Sequence, residues 1–237
     1  MKNSEEFRKV FNKIENYLNK LVNKPVYSRF SNLINLASEK NLAVKEYAND
    51  LMEFAELRNA IVHAKNEKII AEVFKSTIRD LKKIYQQIKN PSLAYEIASK
   101  PVYTCQIEDS LLKQIKIMQE KTYTHVPVYK NTNFRGVLSE SALFSWLGDL
   151  NKIDTINKNI KIGDVQRYLN IEGRSNEYFK FIDKKTNIYK VKQLFEQNIE
   201  KNKRLGAIFI TKSVKGNKKI IGIITAWDLP RIKEVKQ

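Results

Sequence analysis

Gly222-Ile223-Ile224-Thr225-Ala226-Trp227-Asp228-Leu229 is the stretch that decides how this chain is read. A run of isoleucines suits a buried strand. Thr225 is a residue type that starts helices, and an acid stands three places later at Asp228. The stretch therefore predicts a strand that turns directly into a helix. Upstream the same pattern occurs as Gly136-Val137-Leu138-Ser139-Glu140-Ser141-Ala142-Leu143, with Ala142 where the acid would fall.

Working outward from these two copies, short apolar runs alternate with helix-like stretches. The first cycle has Val102-Tyr103-Thr104, a helix from Ser110, His125-Val126-Pro127-Val128, Gly136–Ser139 and a helix from Glu140. The second has Phe179-Lys180-Phe181, a helix from Ile188, Gly206–Thr211, Ile220–Thr225 and a helix from Ala226. Between its last two strands, residues 212–219 read as a hairpin loop through Gly216-Asn217. An internal repeat of about 75–80 residues, each copy strand–helix–strand–strand–helix, is thus predicted.

Pro127-Val128 and the two Gly-x-x-Ser/Thr stretches resemble the CBS motif, which has a Pro-Val on its second strand and a G-h-h-[ST]-x-x-[DN]-L signature (h hydrophobic). The resemblance covers residues 99–237, with the first copy at about 99–150 and the second at about 160–237. It implies a CBS pair, βαββα repeated twice, that binds an adenine nucleotide (AMP, ADP or ATP) as regulatory ligand. Thr225 would hold phosphate with the free amides of a helix start. Asp228 would accept both ribose hydroxyls. In the first copy only Ser139 matches, and Ala142 offers no acceptor, so one good nucleotide site is expected rather than two. Thr225-Ala226-Trp227-Asp228 also satisfies a helix capping box, a purely local role of order 1 kcal/mol. Trp227 can stack on a base or serve core and interface. Lys212, Lys215, Lys218 and Lys219 can reach a polyphosphate or form a solvated loop. His125 can touch phosphate or pack at a strand edge, and Cys105 reads as a buried inert thiol.

The first hundred residues contain none of the seven glycines, as a helical bundle permits. Phe7, Val10, Phe11, Ile14, Tyr17, Leu18 and Leu21 repeat at three and four, as do Leu51, Phe54, Leu57 and Ile61, and Ile70 through Tyr85. Pro25 and Asn41 fall between segments. Three to five helices are predicted, ending near Asn90-Pro91. The expected architecture is α+β with two domains, an all-α bundle over residues 1–95 followed by the CBS pair.

Arg58-Asn59-Ala60-Ile61-Val62-His63 resembles the R-x4-6-H motif of HEPN domains, many of which are metal-independent endoribonucleases. On one helix, Glu56, Asn59 and His63 share a stripe, while Arg58 is about 100° from Asn59. The resemblance therefore implies a site completed by two protomers. His63 would be general acid or base, Arg58 would stabilise the phosphorane charge, and Asn59 would position phosphate or imidazole. The alternative is a non-catalytic regulator whose helices serve dimerisation or partner binding, with Arg58 paired to Glu53 or Glu56.

The chain's charge is +17, of which +6 falls in residues 1–100 and +11 in the rest. That balance favours polyanionic partners, RNA among them, though lysine-rich solvated faces explain much of it. One cysteine excludes an internal disulfide, and two histidines make a metal centre improbable. No apolar run reaches the roughly 18 residues of a membrane helix, and the N-terminus has no signal core. A cytoplasmic homodimer with no metal and no membrane attachment is expected.

Overall fold

The structure, a computed structural model, describes residues 2–23, 29–63, 68–69, 71–149, 158–174, 177–197, 204–212 and 219–235. The chain divides into two compact units, residues 1–92 and 93–235.

The first unit is built on α1 (Lys2–Val22), α2 (Phe30–Lys40), α3 (Leu42–Glu46), α4 (Ala48–Ile61) and α5 (Lys75–Lys89). The three-and-four stripe of α1 supplies Phe7, Val10, Phe11, Ile14 and Leu18, all buried, and α1 packs on α2 and α5, where Ile34, Leu81 and Ile88 are buried too. Asn41 does two jobs between α2 and α3. Its backbone N–H donates to the Ala37 carbonyl, and its side-chain oxygen accepts from the Ala43 and Val44 amides at 2.9 and 3.3 Å. Its amide nitrogen also donates to the Ile88 carbonyl at 3.2 Å, which Tyr17 Oη reaches at 3.0 Å. Pro25 lies outside the described residues.

The all-α expectation is corrected in one place. α4 stops at Ile61, and β1 (Val62–His63) pairs antiparallel with β2 (Lys68–Ile69), with His63 opposite Lys68. No glycine or proline breaks the helix there. β-branched Val62 and Ile69 are paired across the short ladder, which ends the helix by competing for its backbone groups.

The second unit begins with α6 (Ala94–Ile97) and holds two three-stranded sheets of the same topology. In the first, β3 (Cys105–Gln106) runs parallel to β4 (His125–Lys130), which pairs antiparallel with β5 (Asn133–Ser139). α7 (Leu111–Lys121) provides the crossover and α8 (Glu140–Gly148) follows β5. A short 3-10 turn and α9 (Gln166–Leu169) come next. In the second sheet β6 (Glu177–Asp183) is parallel to β7 (Arg204–Thr211), which pairs antiparallel with β8 (Ile220–Ile224), and α10 (Ile188–Glu196) is the crossover.

Two expectations shift here. The first strand lies at Cys105–Gln106 rather than Val102–Thr104. The helix expected from Ala226 is a single 3-10 turn, Ala226–Asp228, followed by α11 (Arg231–Val235). Pro230 stands between them, and a proline clashes with a continuing helix. The hairpin loop at 213–218, with Gly216-Asn217, lies outside the described residues.

β5 shows why its run is apolar on both sides. Leu138 joins Cys105, Leu111, Val126, Val128 and Trp146 in the core beneath the helices. Val137, one place earlier, joins Phe179, Ala207, Phe209 and Ile220 between the sheets. Phe134 extends that layer, with its ring 5.6 Å from Phe181 and 6.4 Å from Phe209. A strand buried on both faces has no polar alternation to show.

Candidate functional site

Thr225 follows β8 as the N-cap of the 3-10 turn that Asp228 ends. Asp228 is buried, and four hydrogen bonds reach its carboxylate from within the chain. Oδ2 accepts from the Thr225 amide at 2.8 Å and the Thr225 hydroxyl at 3.1 Å. Oδ1 accepts from Ser99 Oγ at 3.1 Å and from Arg231 Nη1 at 2.8 Å. The capping box is therefore formed, and the two carboxylate oxygens have their usual complement of partners. The Arg231 side chain is 48% exposed, so its hold on Asp228 is the most readily exchanged of the four.

These residues wall a cleft of about 830 Å³. Its apolar side comes from Val102, Tyr103, Met118, Tyr123, Leu143 and Ile223, with Tyr103 and Tyr123 stacked at 5.4 Å between centroids. Lys121, Arg231, Asp228, Glu140 and His125 supply its charged and titratable groups. Trp227 lines it too and is 84% exposed, so it is not a core residue. The volume lies inside the roughly 300–1,000 Å³ range of small-molecule sites. Both repeats contribute, since Tyr123, Thr124 and His125 precede or open β4 while Thr225 and Asp228 follow β8.

Ser139 is not brought into this cleft. It is fully buried at the start of α8, where its Oγ accepts from the Ala142 amide at 3.1 Å. That hydroxyl donates to the Glu177 carboxylate, a residue the sequence did not single out. Glu177 is the hub of a buried polar network. Arg174 Nη1 bonds and ion-pairs with it, and His125 Nε2 stands 3.3 Å from its other oxygen, with Arg204 at 4.0 Å. His125 Nδ1 in turn meets Thr124 Oγ1 at 2.8 Å, and its ring meets Phe179 edge-on. Burial by itself pushes the Glu177 carboxyl up, but His125, Ser139 and Arg174 together outweigh it and hold the group down at about 2.

A pH prediction follows from that sign. A carboxyl whose folded value lies below its ordinary value near 4.5 adds stability that is complete above 4.5 and is lost as pH falls toward about 2. Urea midpoints should therefore fall between pH 4.5 and 2. Glu177→Gln should flatten that fall; an equally steep loss in the variant would assign it to other acids.

Arg58 and Asn59 sit near the end of α4, where Arg58 Nη1 donates to Asn59 Oδ1 at 3.3 Å in an exposed pair. The backbone of His63 lies in β1, beyond the helix. The helical stripe joining Glu56, Asn59 and His63 is thereby corrected: the three do not share one helix. Phe54 and Leu57 are half-buried and Leu51 and Ile61 buried, so the expected inner stripe of α4 does face the core. Cys105 is buried, and burial, with Asp109 adding to it, pushes its thiol up to about 12, which keeps it protonated and unreactive. Among the described residues no cluster of three His, Cys, Asp or Glu can hold a metal, and no helix is long and apolar enough to cross a membrane.

Residues 94–149 match the CBS domain family. The CBS match covers α6, the first sheet with α7, and α8. The second sheet repeats its parallel–antiparallel strand order. No curated protein matches the chain. Solved structures are similar at low scores. CBSX2 in complex with AMP has 18% identity, covers 62% of this chain and 99% of its own, and has a TM-score of 0.43. A putative acetoin utilization protein from Vibrio cholerae has 13% identity, coverage of 60% and 90%, and a TM-score of 0.45. The CBS domain of a bacterial CNNM/CorC family Mg2+ transporter in complex with ATP has 13% identity, coverage of 65% and 93%, and a TM-score of 0.42. With scores under 0.5, these likenesses carry no argument about function.

Proposed function

We propose that this chain is a regulatory CBS-pair protein that binds an adenine nucleotide in the Thr225–Asp228 cleft and uses its helical unit for homodimerisation or partner binding. The observation that carries the reading is the cleft itself: a buried carboxylate and an exchangeable arginine at one end of a space walled by Tyr103, Tyr123 and Ile223. The base packs against the tyrosines and Ile223, where planar stacking is favourable. The ribose hydroxyls donate to Asp228 in place of Ser99 Oγ and Arg231. Arg231, released, pairs with phosphate, for which a guanidinium fork is well shaped. Binding thus exchanges one set of charge-assisted hydrogen bonds for another and leaves no buried carboxylate unpaired.

The helical unit enters as a dimerisation or docking module rather than as a nuclease. A HEPN-type ribonuclease site needs Arg58 and His63 of two protomers to converge, and His63 follows α4 in β1 rather than lying on the helix that carries Arg58. RNA remains the first partner class to test against the basic charge of residues 1–100, by salt-dependent retention without cleavage.

Calorimetry with AMP, ADP and ATP tests the nucleotide reading. At least one should bind, and Asp228→Ala should weaken it by at least ~2 kcal/mol, about 30-fold in Kd. Absence of heat with all three nucleotides rejects the proposal.

A further inference from the structure

The two signature stretches align without a gap, which places Ser139, Ser141, Ala142 and Ser145 opposite Thr225, Trp227, Asp228 and Arg231. The second set walls the open cleft. The first set should wall a matching cleft, and Ser141, Ala142 and Ser145 do line a cavity with Arg174, but of only about 210 Å³. That is below the range of small-molecule sites.

What fills the difference is a side chain. We infer that Arg174 is a resident occupant of this second cleft, locked there by Glu177, so that the repeat pair holds a single ligand site per chain. The inference rests on the nucleotide reading of the open cleft.

The fit of Arg174 is complete. A guanidinium has five N–H donors. Nε donates to the Asn170 carbonyl at 2.7 Å. Nη2 donates to the carbonyls of Val137 at 2.7 Å and Leu169 at 2.9 Å. Nη1 donates to Ser139 Oγ at 3.0 Å and to Glu177. The group lies 5.1 Å from the centroid of Phe179 and its side chain is 11% exposed. A planar, donor-rich group lying over an aromatic ring and bonded to backbone carbonyls makes the contacts that a nucleobase bearing an exocyclic amine would need. The Ser139 hydroxyl, counterpart of Thr225, is consumed by the same plug. Glu177 supplies the countercharge, which a buried guanidinium requires.

Calorimetric and crystallographic titration with AMP tests this. Wild type should bind one AMP per chain, at the Asp228 cleft. The double variant Arg174→Ala/Glu177→Gln removes both charges together, so neither is left buried and unpaired, and should bind two. The second should be at least ~10-fold weaker, because Ala142 supplies no carboxylate for the ribose. Two AMP in wild type, or still one in the variant, overturns the inference. If wild type binds none, the nucleotide reading alone has failed; AMP binding gained by the variant then upholds the plug, and none gained ends it. Should circular dichroism show the variant unfolded, a wild-type crystal soaked in millimolar AMP decides, since density beside Ser139 overturns the plug and its absence there upholds it.

Discussion

Glu177→Ala is expected to lower the stability of the second unit by about 3–5 kcal/mol, the cost of removing one partner from a buried ion pair. The carboxylate side chain is completely buried, and with it gone the Arg174 guanidinium stays enclosed with no countercharge. Ser139 Oγ and His125 Nε2 lose a partner at the same stroke. Glu177→Gln should cost less, since an amide oxygen still accepts from Arg174 and Ser139 while the ion pair is lost. Both tryptophans belong to the second unit and Trp146 is buried, so tryptophan fluorescence in a urea titration reads this unit specifically. A loss below 1 kcal/mol for Glu177→Ala would mean that water replaces the carboxylate, and that the network does not hold the repeats in place.

Much of the fold was legible, for physical reasons tied to particular residues. The apolar stripe of α1 and the strand-then-cap order at Ser139 and Thr225 are local patterns whose period is set by the backbone itself. Asn187 and Ser110 cap α10 and α7 by accepting from Lys190 and Lys113 amides, as their residue types suggest. One miss arises where strand pairing rather than residue type decides. Nothing between Arg58 and His63 breaks a helix; the pairing of Val62 with Ile69 does. Pro230 was a readable stop, and it does cut short the helix expected from Ala226.

The site divides in the same way. Thr225 and Asp228 could be found because their spacing is a local geometry, and the structure puts both on one cleft. Glu177 was invisible as a hub because its partners Ser139 and His125 lie 38 and 52 residues away. A faint signal existed. On a strand, residues two apart share a face, so Glu177 points the same way as Phe179, and both are buried. An acid in phase with a core phenylalanine must meet cations or donors. Arg174 and Lys180, each three residues away, were the nearest cations.

The glycine that opens the first signature carries the other large effect. Gly136 has φ of +153°, and a Cβ there would stand 2.1 Å from the Leu169 carbonyl oxygen. Overpacking and backbone strain each cost roughly 1–3 kcal/mol, so Gly136→Ala should destabilise by about 3–5 kcal/mol. That carbonyl is also one of the acceptors of Arg174 Nη2, so displacing it loosens the plug in the second cleft. Gly222 stands at the same place in the other repeat under different constraints. A Cβ there meets the Ala98 Cβ at 3.1 Å and Ile210 side-chain atoms at 3.4 and 3.5 Å, contacts that small shifts relieve. Gly222→Ala should cost about 1 kcal/mol, at the mild end of overpacking. The pair of urea midpoints separates a shared sequence requirement from a local one. Equal losses at the two glycines would show that the motif demands glycine for a common reason, and that the close approach of Leu169 is incidental.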